Sequence, residues 1–140
     1  MTTQEKKKIV PIELVREVYR ALENVVGPEW LSEDRSVVEA CCKFTLEPQG
    51  VMTLYFKSPV FIPACVILPS TTEEVQAIVR ICNRYRVPFI PLTNSQMGTA
   101  PVVPGTVMIY FKRVNKILNI DEENMNVTVH SRALRVYSST

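Results

Sequence analysis

Pro91-Leu92-Thr93-Asn94-Ser95-Gln96-Met97-Gly98-Thr99-Ala100 is a small, polar stretch whose residue types suit the gripping of a phosphate. The hydroxyls of Thr93, Ser95 and Thr99 can donate to phosphate oxygens, successive backbone amides can face a pyrophosphate, and Gly98 permits close backbone approach or positive φ. The stretch follows Val87-Pro-Phe-Ile-Pro91, an extended apolar run, and open α/β sheets bind ligands just past the carboxyl ends of their strands. Composition taken alone also describes a surface turn that binds nothing, and favours that reading, since such loops are common connectors.

Other chemistry finds less support. His130 is the only histidine, which excludes a histidine-rich metal site, and its place at a strand end fits a surface or hydrogen-bonded structural residue. Cys41, Cys42, Cys65 and Cys82 lack paired spacing, and adjacent side chains such as Cys41 and Cys42 diverge on a helix or a strand. They read as reduced, buried small hydrophobes, and with no secretory signal or membrane-length apolar run we expect a cytoplasmic protein without a transmembrane segment. No Gly-x-Gly-x-x-Gly, Gly-x-x-x-x-Gly-Lys or Gly-x-Ser-x-Gly occurs, which removes the nicotinamide Rossmann, triphosphatase and nucleophile-elbow readings. A net charge of +2, with Arg80, Arg84 and Arg86 set against Glu73 and Glu74, gives no case for nucleic acid.

The elements that must position the loop surround it. Pro63-Ala-Cys-Val-Ile-Leu-Pro69 is a short apolar run between prolines, suited to a buried strand. Ser70-Thr-Thr-Glu73 has the spacing of a capping box and opens a helix whose apolar stripe is Val75, Ile78, Val79 and Cys82. With the run at 87–91 this predicts a βαβ unit of right-handed crossover. Thr106-Val-Met-Ile-Tyr-Phe111 is a further strand, the segment 112–120 leads to a turn at Asp121–Asn124, and Asn126-Val-Thr-Val-His130 alternates like a strand. Nearer the start, Pro11 suits a first helical position, and Leu14, Val15, Val18, Leu22 and Val25 form a helical stripe that Gly27-Pro28 ends. Val51-Met-Thr-Leu-Tyr-Phe56 reads as an extended segment between turns.

The succession Pro-x-x-Val-Ile-Leu-Pro-Ser-Thr-Thr-Glu-Glu-Val-Gln, Val-Pro-Phe-Ile-Pro, Gly-Thr-Val, Val-Asn-Lys-Ile-Leu-x-Ile-Asp and Val-Thr-Val resembles the FAD-binding domain of FAD-linked oxidases. That family includes vanillyl-alcohol oxidase, p-cresol methylhydroxylase, glycolate oxidase and D-lactate dehydrogenase. The resemblance implies an α+β or α/β fold, a p-cresol-methylhydroxylase-type (PCMH-type) N-terminal subdomain with a βαβ core, a small mixed sheet and an N-terminal helix. It implies FAD as cofactor, its pyrophosphate wrapped by Pro91 to Gly98, with Ala100-Pro101 and the strand from Thr106 shaping the pocket wall. In this chain Gly98 is the loop's only glycine, and His130-Ser131-Arg132 stands where the family shows Glu-Pro-Gly.

The resemblance divides the chain into a helical lead-in, 1–60, and an FAD-binding subdomain, 61–140. One hundred and forty residues leave room for one modest core, and not for the second flavin subdomain and substrate cap of a whole oxidase. The expected function is therefore the FAD-binding module of an oxidoreductase for hydroxy acids, alcohols or phenols, not catalytic alone, completed by a partner polypeptide or by further copies of itself. The alternative is a structural or interaction subunit that keeps the fold without binding FAD.

Overall fold

The structure, a computed structural model, describes residues 12–46, 61–93, 101 and 103–131. Pro11, the extended segment at 51–56 and the loop residues Asn94–Ala100 lie outside the described residues.

Helix α1 (Ile12–Val26) buries Val18, Leu22 and Val26, an i, i+4, i+8 row. The expected stripe is thus rotated slightly, with Val15 exposed and Val25 half-buried. Gly27 at φ 90° turns the chain out of the helix, Pro28–Trp30 makes one 3₁₀ turn, and β1 (Leu31–Ser32) follows. Helix α2 (Arg35–Leu46) is not among the elements that the periodicity marks.

Strand β2 (Cys65–Ile67), helix α3 (Thr72–Tyr85), strand β3 (Phe89–Leu92) and strand β4 (Val107–Tyr110) form the centre. The sheet order is β1-β2-β4-β3, with β1 antiparallel and the other three strands parallel. The βαβ unit is present, with β4 inserted between its two strands. Because β2 and β4 are covered on both faces, their side chains alternate between two cores rather than between core and water. Cys65, Ile67, Val107 and Ile109 pack with Val18 and Leu22 of α1 and Ile78 and Cys82 of α3. Val66 and Met108 pack on the opposite face with Val38 of α2 and Leu92.

The cap of α3 is shifted by one residue from the expected box. Thr71 is the N-cap and accepts the Glu74 amide at 3.1 Å, while the Glu74 carboxylate accepts from the Ser70 amide at 2.7 Å. The Ser70 amide and hydroxyl both donate to the Glu74 carboxylate, and it is the Thr71 hydroxyl that meets an orphan amide of the first turn.

After β4, a 3₁₀ turn (Phe111–Arg113) leads to a hairpin, β5 (Ile117–Asp121) and β6 (Asn126–Val129). The sequence pattern marks β6 but not β5. The pairing skips Leu118, so that Ile117 and Ile120 fall on the same face as Val129 and Val127. These four are between 48% and 61% exposed, while Asn119, Asp121, Asn126 and Thr128 occupy the other face.

Candidate functional site

The carboxyl ends of β2, β4 and β3 meet at one edge of the sheet, and the loop predicted to hold phosphate leaves from there. Pro91 lies exposed in β3; among the described residues this is an edge strand, which tolerates a residue without an amide hydrogen. Leu92 is buried against Val38, Val66 and Met108, so its side chain is core and only its backbone is available to a ligand. Thr93 is half-buried at the strand end. Beyond the loop, the Pro101 carbonyl accepts the Phe61 amide at 2.8 Å, and the Thr106 carbonyl accepts the Ala64 amide at 2.9 Å. The connection from β3 to β4 therefore starts at the carboxyl edge of the sheet and ends beside the residues that lead into β2.

The N-terminus of α3 opens directly past β2. Free amides and the helix dipole make such an end attractive to phosphate. Here the protein's own groups fill it. Thr71 and Glu74 satisfy the cap, Glu74 also accepts from the Ser70 hydroxyl at 3.2 Å, and Glu73 adds a second carboxylate to the first turn. The two carboxylates make this end unfavourable for a diphosphate.

On the α2 side of the same edge, a groove of about 360 Å³ is lined by Ser36, Val37, Ala40, Cys41, Tyr110 and Lys112. Its size suits a diphosphate with part of a ribose, not a whole dinucleotide. Lys112 supplies a cation at the end of β4. Burial pushes the Cys41 thiol above its usual range, against the pull of Lys112, so it is a neutral wall group. What this edge offers a phosphate group is the parallel-strand ends and the Lys112 ammonium group. Tyr110 belongs to the strand expected to shape the pocket wall, whereas Lys112 was not marked by sequence reasoning; the available signal was its place just after β4.

The remaining singled-out residues are structural. His130 Nδ1 accepts the Lys116 amide at 3.3 Å and the His130 amide donates to the Lys116 carbonyl at 2.8 Å, closing the hairpin. Cys65 and Cys82 are buried free thiols. Among the described residues no helix is long and apolar enough to cross a membrane.

Residues 63–131, which contain this edge and every strand framing it except β1, match the family described as FAD binding domain. This segment is an FAD-binding domain. The chain is 35% identical over 119 residues to the glycolate oxidase subunit GlcD of Bacillus subtilis (strain 168), covering 83% of this chain and 23% of that protein. It is 35% identical over 85 residues to a D-lactate dehydrogenase of Anaerostipes hadrus, covering 59% and 17% respectively. The fold superposes on 4-ethylphenol oxidase from Gulosibacter chungangensis with a TM-score of 0.68 at 28% identity, over 83% of this chain and 22% of that one. The chain thus spans less than a quarter of the length of these relatives. The PCMH-type fold and FAD as the cofactor of the domain agree with the resemblance seen in the sequence.

Proposed function

We propose that the chain is the phosphate-side FAD-binding module of a flavin-dependent oxidoreductase that oxidises a hydroxy acid, alcohol or phenol. The observation that carries this reading is the open carboxyl edge of β2, β4 and β3, from which the 91–100 segment departs, inside a segment that matches the FAD-binding family. Bound FAD supplies the hydride acceptor, while protein groups supply position and electrostatics. In this reading the backbone and hydroxyls of Pro91, Leu92, Thr93, Asn94, Ser95, Gln96, Met97, Gly98, Thr99 and Ala100 hold the pyrophosphate, Lys112 offsets part of its charge, and Glu74 keeps it off α3. None of these residues is assigned a catalytic role. The three described thiols are free, and we place the protein in the reducing cytoplasm.

We further propose that residues 61–140 form the flavin-binding subdomain proper, and that a partner polypeptide, or another copy of the chain, completes the site. The exposed apolar face of the β5–β6 hairpin supports this, because an isolated two-stranded hairpin with an uncovered hydrophobic face is marginal in water. The same face supports the second reading, a structural subunit without cofactor.

The visible absorption spectrum of the purified protein, before and after incubation with FAD and desalting, separates the two. Retained flavin bands support the module, and Gly98→Val then abolishes retention by blocking the backbone approach. A colourless wild-type protein that elutes as an oligomer supports the structural subunit.

A further inference from the structure

A second cavity, of about 570 Å³, opens at the amino ends of the parallel strands, on the edge of the sheet opposite the carboxyl end of β3. Ala64 and Cys65 at the start of β2, Val107 at the start of β4 and Pro88 before β3 form its floor, and α1 closes it with Val18 and Leu22. The walls are almost wholly apolar, and the volume lies within the range of sites for small organic molecules. Two charged residues reach it, Glu33 and Arg86. Glu33 is already neutralised by Arg16, whose Nη1 lies 2.9 Å from its carboxylate. For the Arg86 guanidinium, no acceptor is found among the described residues.

The backbone of Arg86 strengthens the case. It sits at φ 54° and ψ 40°, immediately past α3, where its amide donates to the Asn83 carbonyl at 3.2 Å and the Val87 amide donates to the Cys82 carbonyl at 2.9 Å. This is the left-handed helix-ending turn that glycine makes without strain. An arginine in that position gives up stability that glycine would supply, and strained positions of this kind cluster at ligand sites.

We propose that this cavity binds an apolar monocarboxylate, its hydrocarbon part against the valine and proline walls and its carboxylate on Arg86. Arg86 is exposed and its guanidinium has no acceptor among the described residues, so it can take one negative charge, and its planar fork matches a carboxylate better than an ammonium group would. The paired Glu33 adds no attraction for a second acidic group and disfavours a diphosphate. The site lies at the amino edge of the sheet, opposite the carboxyl end of β3, and the inference stands independently of the FAD-binding reading.

The test is calorimetric titration of the full chain with octanoate and, separately, with octanol, alongside thermal melting of each variant. The expected result is saturable binding of octanoate, tighter than that of octanol. Arg86→Gly weakens octanoate by about tenfold or more, as expected for a lost charge-assisted hydrogen bond, and leaves octanol unchanged. Its melting temperature stays level or rises, because glycine relieves the left-handed turn, so misfolding cannot account for the loss. Arg86→Lys recovers part of the affinity, and Val15→Trp, on the exposed side of α1 at the cavity wall, blocks both ligands. Absence of saturable octanoate binding, equal affinity for octanol, or an unchanged affinity in Arg86→Gly each overturns the proposal. Flavin retention is read separately and bears on neither outcome.

Discussion

The Arg113 guanidinium lies 3.9 Å from the centroid of the Trp30 ring, and its Nη1 donates to the Leu68 carbonyl at 2.9 Å. Leu68 in turn donates its amide to the Trp30 carbonyl at 2.9 Å. One side chain therefore joins the 3₁₀ turn before β1, the end of β2 and the 3₁₀ turn after β4. These are the segments that frame the edge where the FAD loop departs.

Replacing Arg113 by alanine removes a cation–π contact and a charge-assisted hydrogen bond, and is expected to cost about 1–3 kcal/mol of folding stability. Arg113→Lys keeps the charge but loses the flat stacking surface and falls between the two. Urea unfolding of the three proteins checks the order.

Asp34, just before α2, accepts the Ser36 amide at 2.8 Å and the Val37 amide at 3.3 Å. The Ser36 hydroxyl bond, followed by these amide bonds, holds its carboxyl below the usual value of 3.8. Because the folded pKa is the lower one, the stabilisation is present above pH 3.8 and is lost as pH falls through the folded value. Asp34→Ala lowers the melting temperature by a few degrees at pH 7, as loss of an N-cap does, and the difference from wild type shrinks on acidification below pH 4. Melting curves at a series of pH values from neutral to strongly acidic test this; a difference that persists in strong acid rules it out.

Burial pushes the Cys65 thiol up to about 12 and the Cys82 thiol up to about 11, from an ordinary 9.0. Both stay neutral in the folded protein where the unfolded chain ionises, so their contribution is full below pH 9 and is lost as pH rises toward 11 and 12. Iodoacetamide at pH 8 should alkylate half-buried Cys41 before either of them, with Cys65 and Cys82 reacting only after denaturation. Peptide mapping by mass spectrometry reads the order.

If the hairpin face makes the contact that completes the site, Ile120→Lys with Val127→Lys weakens association without unfolding the α/β core. Both side chains are more than half exposed, so the melting temperature of the core changes little while the elution volume shifts to the monomer. A wild-type protein that is monomeric at every concentration removes self-association as the means of covering this face.

Much of the central fold was legible in the residues because it depends on neighbours in the chain. The spacing of Val75, Ile78, Val79 and Cys82 defines a helix and its buried face, and Cys82 is indeed fully buried. Proline-bounded apolar runs mark β2 and β3, and β3 ends, where the polar stretch begins, at the carboxyl edge of the sheet. The choice between Glu73 and Glu74 for the cap was not legible, because it turns on how the chain leaves β2. Strand β5 was hidden for a similar reason: with Leu118 bulged, Ile117 and Ile120 break the period of two, and only pairing with β6 restores it.

Contacts between distant residues belong to the tertiary structure alone. The insertion of β4 between β2 and β3, the Arg113 link across 45 residues to Leu68, and the meeting of Lys112 with α2 depend on which faces the sheet must bury on both sides. The cavity beside Arg86 arises in the same way, from α1 closing over the amino ends of strands far away in the chain. Local pattern specifies each element because its periodicity is carried by consecutive residues. Partners across the fold are chosen by the burial of whole apolar faces, a term that no single segment contains.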